Sequence, residues 1–165
     1  MELILEGSLE TEITKEELLE FEIELDDVVA VLISICEIFE SSQIVSFLIS
    51  GFGQEKWPVD CRTDLATIIE QIPNILEKIR AGKFSFQLDF YEQGIERQLS
   101  FEEDNSLVKV TCVSRTNWMP NPSAIFIERH EVLSMFESLY RNFLEYSEVL
   151  CIELAKNPLL KDWKS

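Results

Sequence analysis

The stretch that decides the fold is Lys83–Arg115, which reads KFSFQLDFYEQGIERQLSFEEDNSLVKVTCVSR. Three runs of largely alternating apolar and polar residues fill it: 83–92, 95–102 and 107–115. A period of two is typical of half-buried β-strands. Gly94 separates the first two runs and Asp104-Asn105-Ser106 separates the last two, and these residue types favour tight turns. The stretch therefore predicts an antiparallel meander of three strands.

Further strands are predicted before the meander. Residues 2–6 and 8–13 predict either one strand bent at Gly7 or two short strands. Residues 20–25 alternate acidic and apolar side chains, and residues 43–52 alternate through three large apolar ones before a glycine turn. Each of these two segments is interpreted as one more strand.

Two helices are predicted between these strands. The first covers residues 27–41, with Asp26 as its N-cap, and is largely buried; its β-branched content leaves a buried strand as the alternative. The second follows an apolar stripe from Leu65 to Ile79 and ends near Gly82. Pro73 lies inside this stripe, which predicts either a kink or two helices with Pro73 in the first turn of the second.

A proline-containing loop and a long helix are predicted after the meander. Residues 117–122 include two prolines and predict irregular structure. Residues 129–156 carry apolar side chains in steps of three and four before Asn157-Pro158. Clusters of strands separated by helices indicate an α+β fold, with a mixed or mainly antiparallel sheet packed against about three helices. Residues 1–165 are interpreted as one domain.

Composition indicates an ordered protein without a membrane span. Apolar residues make up 46% of the 165 residues and charged residues 27%, which is an ordinary globular mixture. The longest apolar run, Val28–Cys36, is much shorter than the roughly 20 residues that cross a bilayer. The first residues have no basic stretch or cleavage site of a secretory signal. We therefore expect a cytoplasmic protein that does not bind membranes.

The formal charge of −17 is concentrated near the N-terminus. Residues 1–40 contain thirteen acids and one base, whereas residues 41–165 contain eighteen acids and thirteen bases. Two predicted strands place a row of carboxylates on a common sheet face: Glu10, Glu12, Glu20, Glu22 and Glu24. Like charges on neighbouring strands cost stability. The row is either a solvated face or a surface that binds a basic partner, and it disfavours nucleic acid as a ligand.

No recognisable catalytic, cofactor or metal motif accompanies this charge. His130 is the only histidine, and no two of the four cysteines have the close spacing of a zinc or redox motif. Cys61 lies among polar residues and is the one thiol whose reactivity would be worth testing. Gly51-Phe52-Gly53 lacks the third glycine of a phosphate-binding loop. The sequence predicts a protein that is not an enzyme and needs no cofactor or metal.

The loop Arg115–Asn121 is a candidate contact surface. It contains Arg115, Trp118 and Met119, residue types that are enriched at protein interfaces. The alternative is that Trp118 folds back over the sheet edge, because large aromatic side chains are usually well buried. Trp57 is expected to pack in the core.

The second half of the chain resembles a known class of bacterial protein. The resemblance is carried by Tyr91–Arg97 with the strands after it, by the loop Ser114–Trp118, and by the terminal helix through Asn157-Pro158-Leu159. Over residues 83–163 the chain is similar to small immunity proteins of polymorphic toxin systems. The resemblance implies a protein that neutralises a basic, nuclease-like toxin, and it transfers no site residues. The alternative is an assembly subunit that self-associates through a sheet edge or the C-terminal helix.

Overall fold

The computed structural model describes residues 1–6 and 25–164. The described elements, in chain order, are β1 (Glu2–Leu5), α1 (Val28–Ser42), β2 (Val45–Leu48), a π-helical turn (Cys61–Leu65), α2 (Ala66–Arg80), β3 (Phe86–Phe90), β4 (Arg97–Asp104), β5 (Leu107–Ser114), β6 (Ala124–Glu128), α3 (Arg129–Leu150), α4 (Ile152–Ala155) and α5 (Leu160–Trp163). The predicted α+β class, with an antiparallel sheet and a long C-terminal helix, is confirmed.

The strands form two antiparallel sheets. β1 pairs with β2, and the larger sheet has the order β3-β4-β5-β6. The predicted meander is confirmed as β3, β4 and β5. The fourth strand, β6, was not predicted because it has only five residues and directly follows the proline loop. The strands predicted at 8–13 and 20–25 lie outside the described residues, except for Leu25, which is in no strand.

The segment predicted as either a helix or a buried strand is the helix α1. Its N-cap is Asp27 and not Asp26, because the carboxylate of Asp27 accepts a hydrogen bond of 2.8 Å from the N–H of Ala30. The helix ends where Gln43 takes a left-handed conformation with φ of 58°. A left-handed residue after the last turn is a common way for a helix to end.

The helix α2 is continuous through Pro73, so the second of the two alternatives, two separate helices, is wrong. The start of this helical segment lies further upstream than the apolar stripe indicated. Asp60 caps a π-helical turn by accepting hydrogen bonds from the N–H groups of Thr63 and Asp64, and α2 follows directly. Pro73 therefore lies in the middle of a packed helix and not at a helix start.

The long C-terminal helix is shorter than predicted. α3 begins with a capping box between Glu128 and Glu131, which satisfies two backbone donors of the first turn. It ends at Cys151, whose φ of −150° and ψ of 58° are not helical. A new short helix, α4, starts at Ile152, so the single helix predicted for residues 129–156 is wrong in its last turns.

Helices α2 and α3 cover one face of the larger sheet. Phe86 of β3 stacks on Phe101 of β4 with ring centroids 4.5 Å apart, and Phe136 of α3 contacts both rings edge-on. Such aromatic contacts add to the hydrophobic stabilisation of a core. The opposite face is largely polar, but Val113 and Phe126 are exposed on it. Within residues 1–6 and 25–164, no helix has the length and apolar character needed to cross a bilayer.

Candidate functional site

The predicted contact residues fall into two groups. Glu10, Glu12, Glu20, Glu22 and Glu24 lie outside the described residues, so the carboxylate row remains a prediction. Arg115, Trp118 and Met119 are described and lie in the loop between β5 and β6. The described part of the predicted contact surface is therefore this loop.

Trp118 covers a buried arginine at the end of the sheet. The guanidinium carbon of Arg97 lies 3.5 Å from the centroid of the Trp118 ring and 4.3 Å from that of Trp57. Arg97 is only 3% exposed. Trp118 thus folds back onto β4, a central strand, and not onto the edge of the sheet.

The cation of Arg97 is held mainly by these aromatic faces. Its Nε and Nη1 atoms are buried and have no hydrogen-bond partner in the described part of the chain. Burial lowers the pKa of Arg97 from its usual value. A desolvated cation over an indole contributes up to about 2 kcal/mol. The stack of Trp57, Arg97 and Trp118 therefore ties the β5–β6 loop to the sheet.

A close backbone contact fixes the far end of the same loop. The N–H of Asn121 donates a hydrogen bond of 2.9 Å to the carbonyl of Phe52. Gly53 has φ of +83°, and a Cβ atom there would lie 2.2 Å from the carbonyl oxygen of Asn121. Only glycine fits this approach without a rearrangement. The loop is thus held at two points, and Met119 between them is 82% exposed.

Arg115 does not present a free cation to a partner. Its two Nη atoms donate to the two carboxylate oxygens of Asp89, at 2.5 and 3.2 Å. Hydrogen bonding from Arg115 lowers the pKa of Asp89 below its usual value. A bidentate pair of this kind is geometrically specific. Arg115 is exposed but paired, and Met119 is the most exposed of the three predicted loop residues.

A second surface feature, which we call the acidic pocket, lies beside this loop. It is a cavity of about 250 Å³ between α1, the start of α2 and the end of β3. Seven of its lining residues are Val29, Ile33, Glu37, Arg62, Glu70, Tyr91 and Glu92. The lining thus combines apolar side chains with three carboxylates, and Tyr91 is 52% exposed.

The carboxylates of the acidic pocket lack cationic partners. One oxygen of Glu37 is buried without a hydrogen-bond partner in the described part of the chain. Arg62 lines the same cavity, but none of the ion pairs within 4 Å among the described residues joins it to an acid. Glu70 is approached only by the Tyr91 hydroxyl, at 3.4 Å. The pocket therefore has both apolar surface and unneutralised negative charge.

Sequence reasoning missed the acidic pocket. Val29 and Ile33 were interpreted as part of a helix that is buried nearly all round, but both line the cavity and Ile33 is 37% exposed. A usable signal was present, because Val29, Ile33 and Glu37 are spaced by four residues and so lie on one helix face. A helix face on which two apolar residues are followed by an acidic one is more typical of a surface groove than of a buried core.

His130 and Cys61 are the two described side chains for which the sequence raised the question of reactivity. His130 is exposed in the first turn of α3. Cys61, whose sequence neighbours suggested an exposed thiol, is 2% exposed. Burial, followed by the charge of Glu40, raises the pKa of Cys61 to about 12, so its reactive thiolate form is scarce at neutral pH. No cluster of three or more potential metal ligands occurs in residues 1–6 and 25–164.

A larger cavity of about 520 Å³ lies between α2, α3 and the C-terminal residues. Its charged lining is balanced, with Glu77 and Asp162 against Arg80 and Lys164. Arg80 also pairs with Glu137 at 3.3 Å. This cavity therefore has no net charge to select a ligand, unlike the acidic pocket.

No family model matches the chain, and no curated protein or solved structure is detectably similar to it. The resemblance to immunity proteins therefore remains a prediction.

Proposed function

We propose that this protein is a non-enzymatic, cytoplasmic binding protein that neutralises a basic protein partner, as an immunity protein neutralises a nuclease-like toxin. The observation that carries the proposal is uncompensated charge on the described acids of the first forty residues. Six acids there are described: Glu2, Glu6, Asp26, Asp27, Glu37 and Glu40. None of them forms an ion pair with another described residue, since all four ion pairs lie within residues 80–145.

The acidic pocket fits a lysine or arginine side chain of such a partner. Its carboxylates, Glu37, Glu70 and Glu92, offer charge to the cationic head. The apolar wall of Val29 and Ile33 fits the aliphatic stem, which long basic side chains bury readily. Negative potential also steers a basic partner toward the surface and raises the association rate. The pocket therefore combines attraction at a distance with a defined place of contact.

The acidic pocket and the β5–β6 loop are connected through the end of β3. Arg115 donates a hydrogen bond of 3.3 Å to the carbonyl of Phe90, and the next two residues, Tyr91 and Glu92, line the pocket. Met119 would then supply an apolar contact next to a charged one. Interfaces commonly combine an apolar centre with a polar rim.

Neutralising the acidic pocket is expected to weaken binding of the partner about tenfold or more. The variant carries Glu37→Gln, Glu70→Gln and Glu92→Gln together. The full chain is first used to capture a partner from its own host at low salt, and titration calorimetry then gives Kd at several salt concentrations. We expect a basic partner whose affinity falls as salt rises, because screening weakens exposed charge pairs.

The matched control carries Glu55→Gln, Glu148→Gln and Glu153→Gln, three exposed acids outside the pocket. It changes the net charge by the same amount, so long-range steering is reduced equally. We expect its affinity to fall by less than about threefold. Equal losses in the two variants would remove the pocket from the proposal. Capture of an acidic partner, or binding that ignores salt, would remove the proposed function.

Met119→Ala is expected to weaken binding of the same partner by about three- to thirtyfold, with no measurable loss of stability. The side chain is 82% exposed, so little packing is lost in the free protein. Thermal unfolding and titration of the partner are compared for this variant and for Val149→Ala, an exposed apolar residue on α3. Unchanged affinity in Met119→Ala would exclude the loop from the interface.

A further inference from the structure

The two edges of the four-stranded sheet differ in how they are protected. At the β3 edge, the N–H of Asp89 donates to the side-chain oxygen of Gln71 at 3.1 Å. The carbonyl of Asp89 accepts a hydrogen bond of 2.9 Å from the side-chain nitrogen of Gln71. Covering edge backbone groups in this way prevents pairing with another strand. A residue of α2 therefore covers this edge at Asp89.

The β6 edge has no such cover. The N–H of Cys112 in β5 donates to the carbonyl of Ser123 at 2.9 Å. Because hydrogen-bonded pairs alternate along an antiparallel ladder, the N–H and C=O groups of Ala124 and Phe126 point away from β5. No side chain or loop of the described chain hydrogen-bonds to these four groups. They form a short, open edge.

We propose that β6 pairs in antiparallel fashion with β6 of a second copy of this chain, joining two four-stranded sheets into one of eight strands. The free groups determine the register. The N–H of Glu128 is already bonded to the side chain of Glu131 at 3.2 Å, so it is not offered to a partner. Ala124 therefore pairs with Phe126 of the second copy, and all four open groups of each chain are satisfied.

In this register the side chains of one β6 strand fit against those of the second β6 strand. Phe126 is 55% exposed and lies opposite a small alanine, so its ring has room. Ile125 is half-buried and lies on the twofold axis opposite its own copy. Apolar cross-strand pairs stabilise a sheet, and no two carboxylates face each other. An interface that joins the same patch on both chains is the usual form of a dimer.

Charge also favours a second copy at this edge. Residues 107–129 contain three bases and one acid, and two of these bases, Arg115 and Arg129, are paired with acids of β3 and β4, so this edge carries little net charge within a chain of net charge −17. The repulsion between two acidic copies is therefore weak here, and it is screened beyond about 8 Å at physiological salt. A basic partner, by contrast, finds no attraction at β6.

The test is the mass of the full chain by sedimentation equilibrium, from about 1 to 200 µM, because short interfaces are weak. We expect the mass to rise from 19.2 kDa toward twice that value. Phe126→Lys is expected to stay monomeric throughout. Val113→Lys is the matched control, since Val113 is 51% exposed on the same sheet face but lies on β5, and it is expected to dimerise normally. A monomeric wild type, or equal loss in both variants, overturns the proposal.

Cysteine cross-linking tests the register separately. Ile125→Cys places two thiols across the axis with Cβ atoms about 5 Å apart, within reach of a disulfide. We expect this variant to give a covalent dimer under mild oxidation. Ile127→Cys lies two residues from the axis and is expected not to cross-link. If Ile127→Cys cross-links and Ile125→Cys does not, the register is wrong. If neither variant cross-links, the pairing of β6 with a second β6 is wrong.

The proposed dimer and the proposed binding of a basic partner can be contradicted independently of each other. The variant with a neutralised acidic pocket is expected to dimerise like the wild type, because none of its three substitutions lies on β6. A monomeric chain that still binds a basic partner would overturn the dimer alone. A dimer without any basic partner would overturn the proposed function alone.

Discussion

Trp57→Ala is expected to lower the free energy of unfolding by about 3–5 kcal/mol, the range for removing a fully buried large aromatic side chain. Trp57 is 0% exposed. Its ring contacts Phe90 edge-on with centroids 5.4 Å apart and Trp118 at 6.0 Å. Its Nε1–H donates a hydrogen bond of 3.2 Å to the carbonyl of Gly51. Alanine would leave a cavity and a buried Arg97 with one aromatic face fewer.

Urea unfolding measured by circular dichroism checks this value, and Trp118→Ala is the control. Trp118 also stacks on Arg97 but is only half-buried, so its removal lets water reach the guanidinium. We expect it to cost about 1–2 kcal/mol, because solvation replaces part of the lost contact. A loss below about 2 kcal/mol in Trp57→Ala would contradict its role in the core, and an equally large loss in Trp118→Ala would show that water does not replace the contact with Arg97.

The stack also connects stability to the proposed binding surface. Trp57 and Trp118 both contact Arg97 and also contact each other edge-on, and Met119 directly follows Trp118 in the loop. When Trp57 is removed, the Trp118 ring keeps Arg97 but loses its contact with Trp57, so this attachment of the loop is weakened. Ordering a loop on binding costs affinity. The Trp57→Ala variant should therefore bind the partner more weakly even when it is kept folded at low temperature.

The part of the fold that the sequence predicts well is set by local signals. The meander follows from alternation within each strand and from turn residues at Gly94 and Asn105. Both sit at positive φ in the structure, at 104° and 53°. Positive φ favours glycine and asparagine. Neighbouring residues therefore determine β3, β4 and β5 without any long-range contact.

The features that the sequence does not predict depend on distant contacts. Arg97 occupies an inward position of a strand, and nothing nearby in the chain shows that Trp57 and Trp118 enclose it. Cys61 has polar neighbours in sequence, yet its N–H donates to Glu40 at 2.9 Å and α1 buries it. The acidic pocket likewise joins residues from three separate elements. Periodicity reports one element at a time, so it cannot reveal a site built between elements.

The proposed binding surfaces likewise depend partly on what the sequence shows directly and partly on contacts between distant residues. The charge asymmetry of the chain is a property of composition, and it was visible before the structure. The place where that charge meets an apolar wall, at Glu37 beside Val29 and Ile33, required the packing of α1 against the start of α2. The open β6 edge required the sheet order. The proposed kind of partner therefore comes from composition, and the proposed place of contact comes from the fold.

Asp64→Asn is expected to stabilise the protein at pH 7 by about 2 kcal/mol, because a raised pKa represents a cost of ionisation. Asp64 is 4% exposed. Burial raises the pKa of Asp64 from 3.8 to about 6, and the charges of Asp60 and Glu92 act in the same direction. The folded state therefore holds this proton more tightly than the unfolded state. Wild-type stability falls as pH rises from about 4 to about 6, and the cost is fully present at pH 7.

Asparagine keeps the acceptor that bonds the N–H of Asp60 at 3.0 Å while it removes the charge. Urea unfolding gives the free energy of unfolding of the variant and of the wild type at about pH 4 and pH 7. We expect the two values to differ little at the lower pH and by the whole expected amount at the higher pH. Asp60→Ala is the control from the same turn. Its carboxylate accepts a hydrogen bond of 2.7 Å from the N–H of Thr63, so its loss should destabilise by about 1 kcal/mol at pH 7. If Asp64→Asn instead destabilises the protein at pH 7, the ionised carboxylate stabilises the start of the helical segment as a cap, and its burial is not a net cost to the stability of the fold.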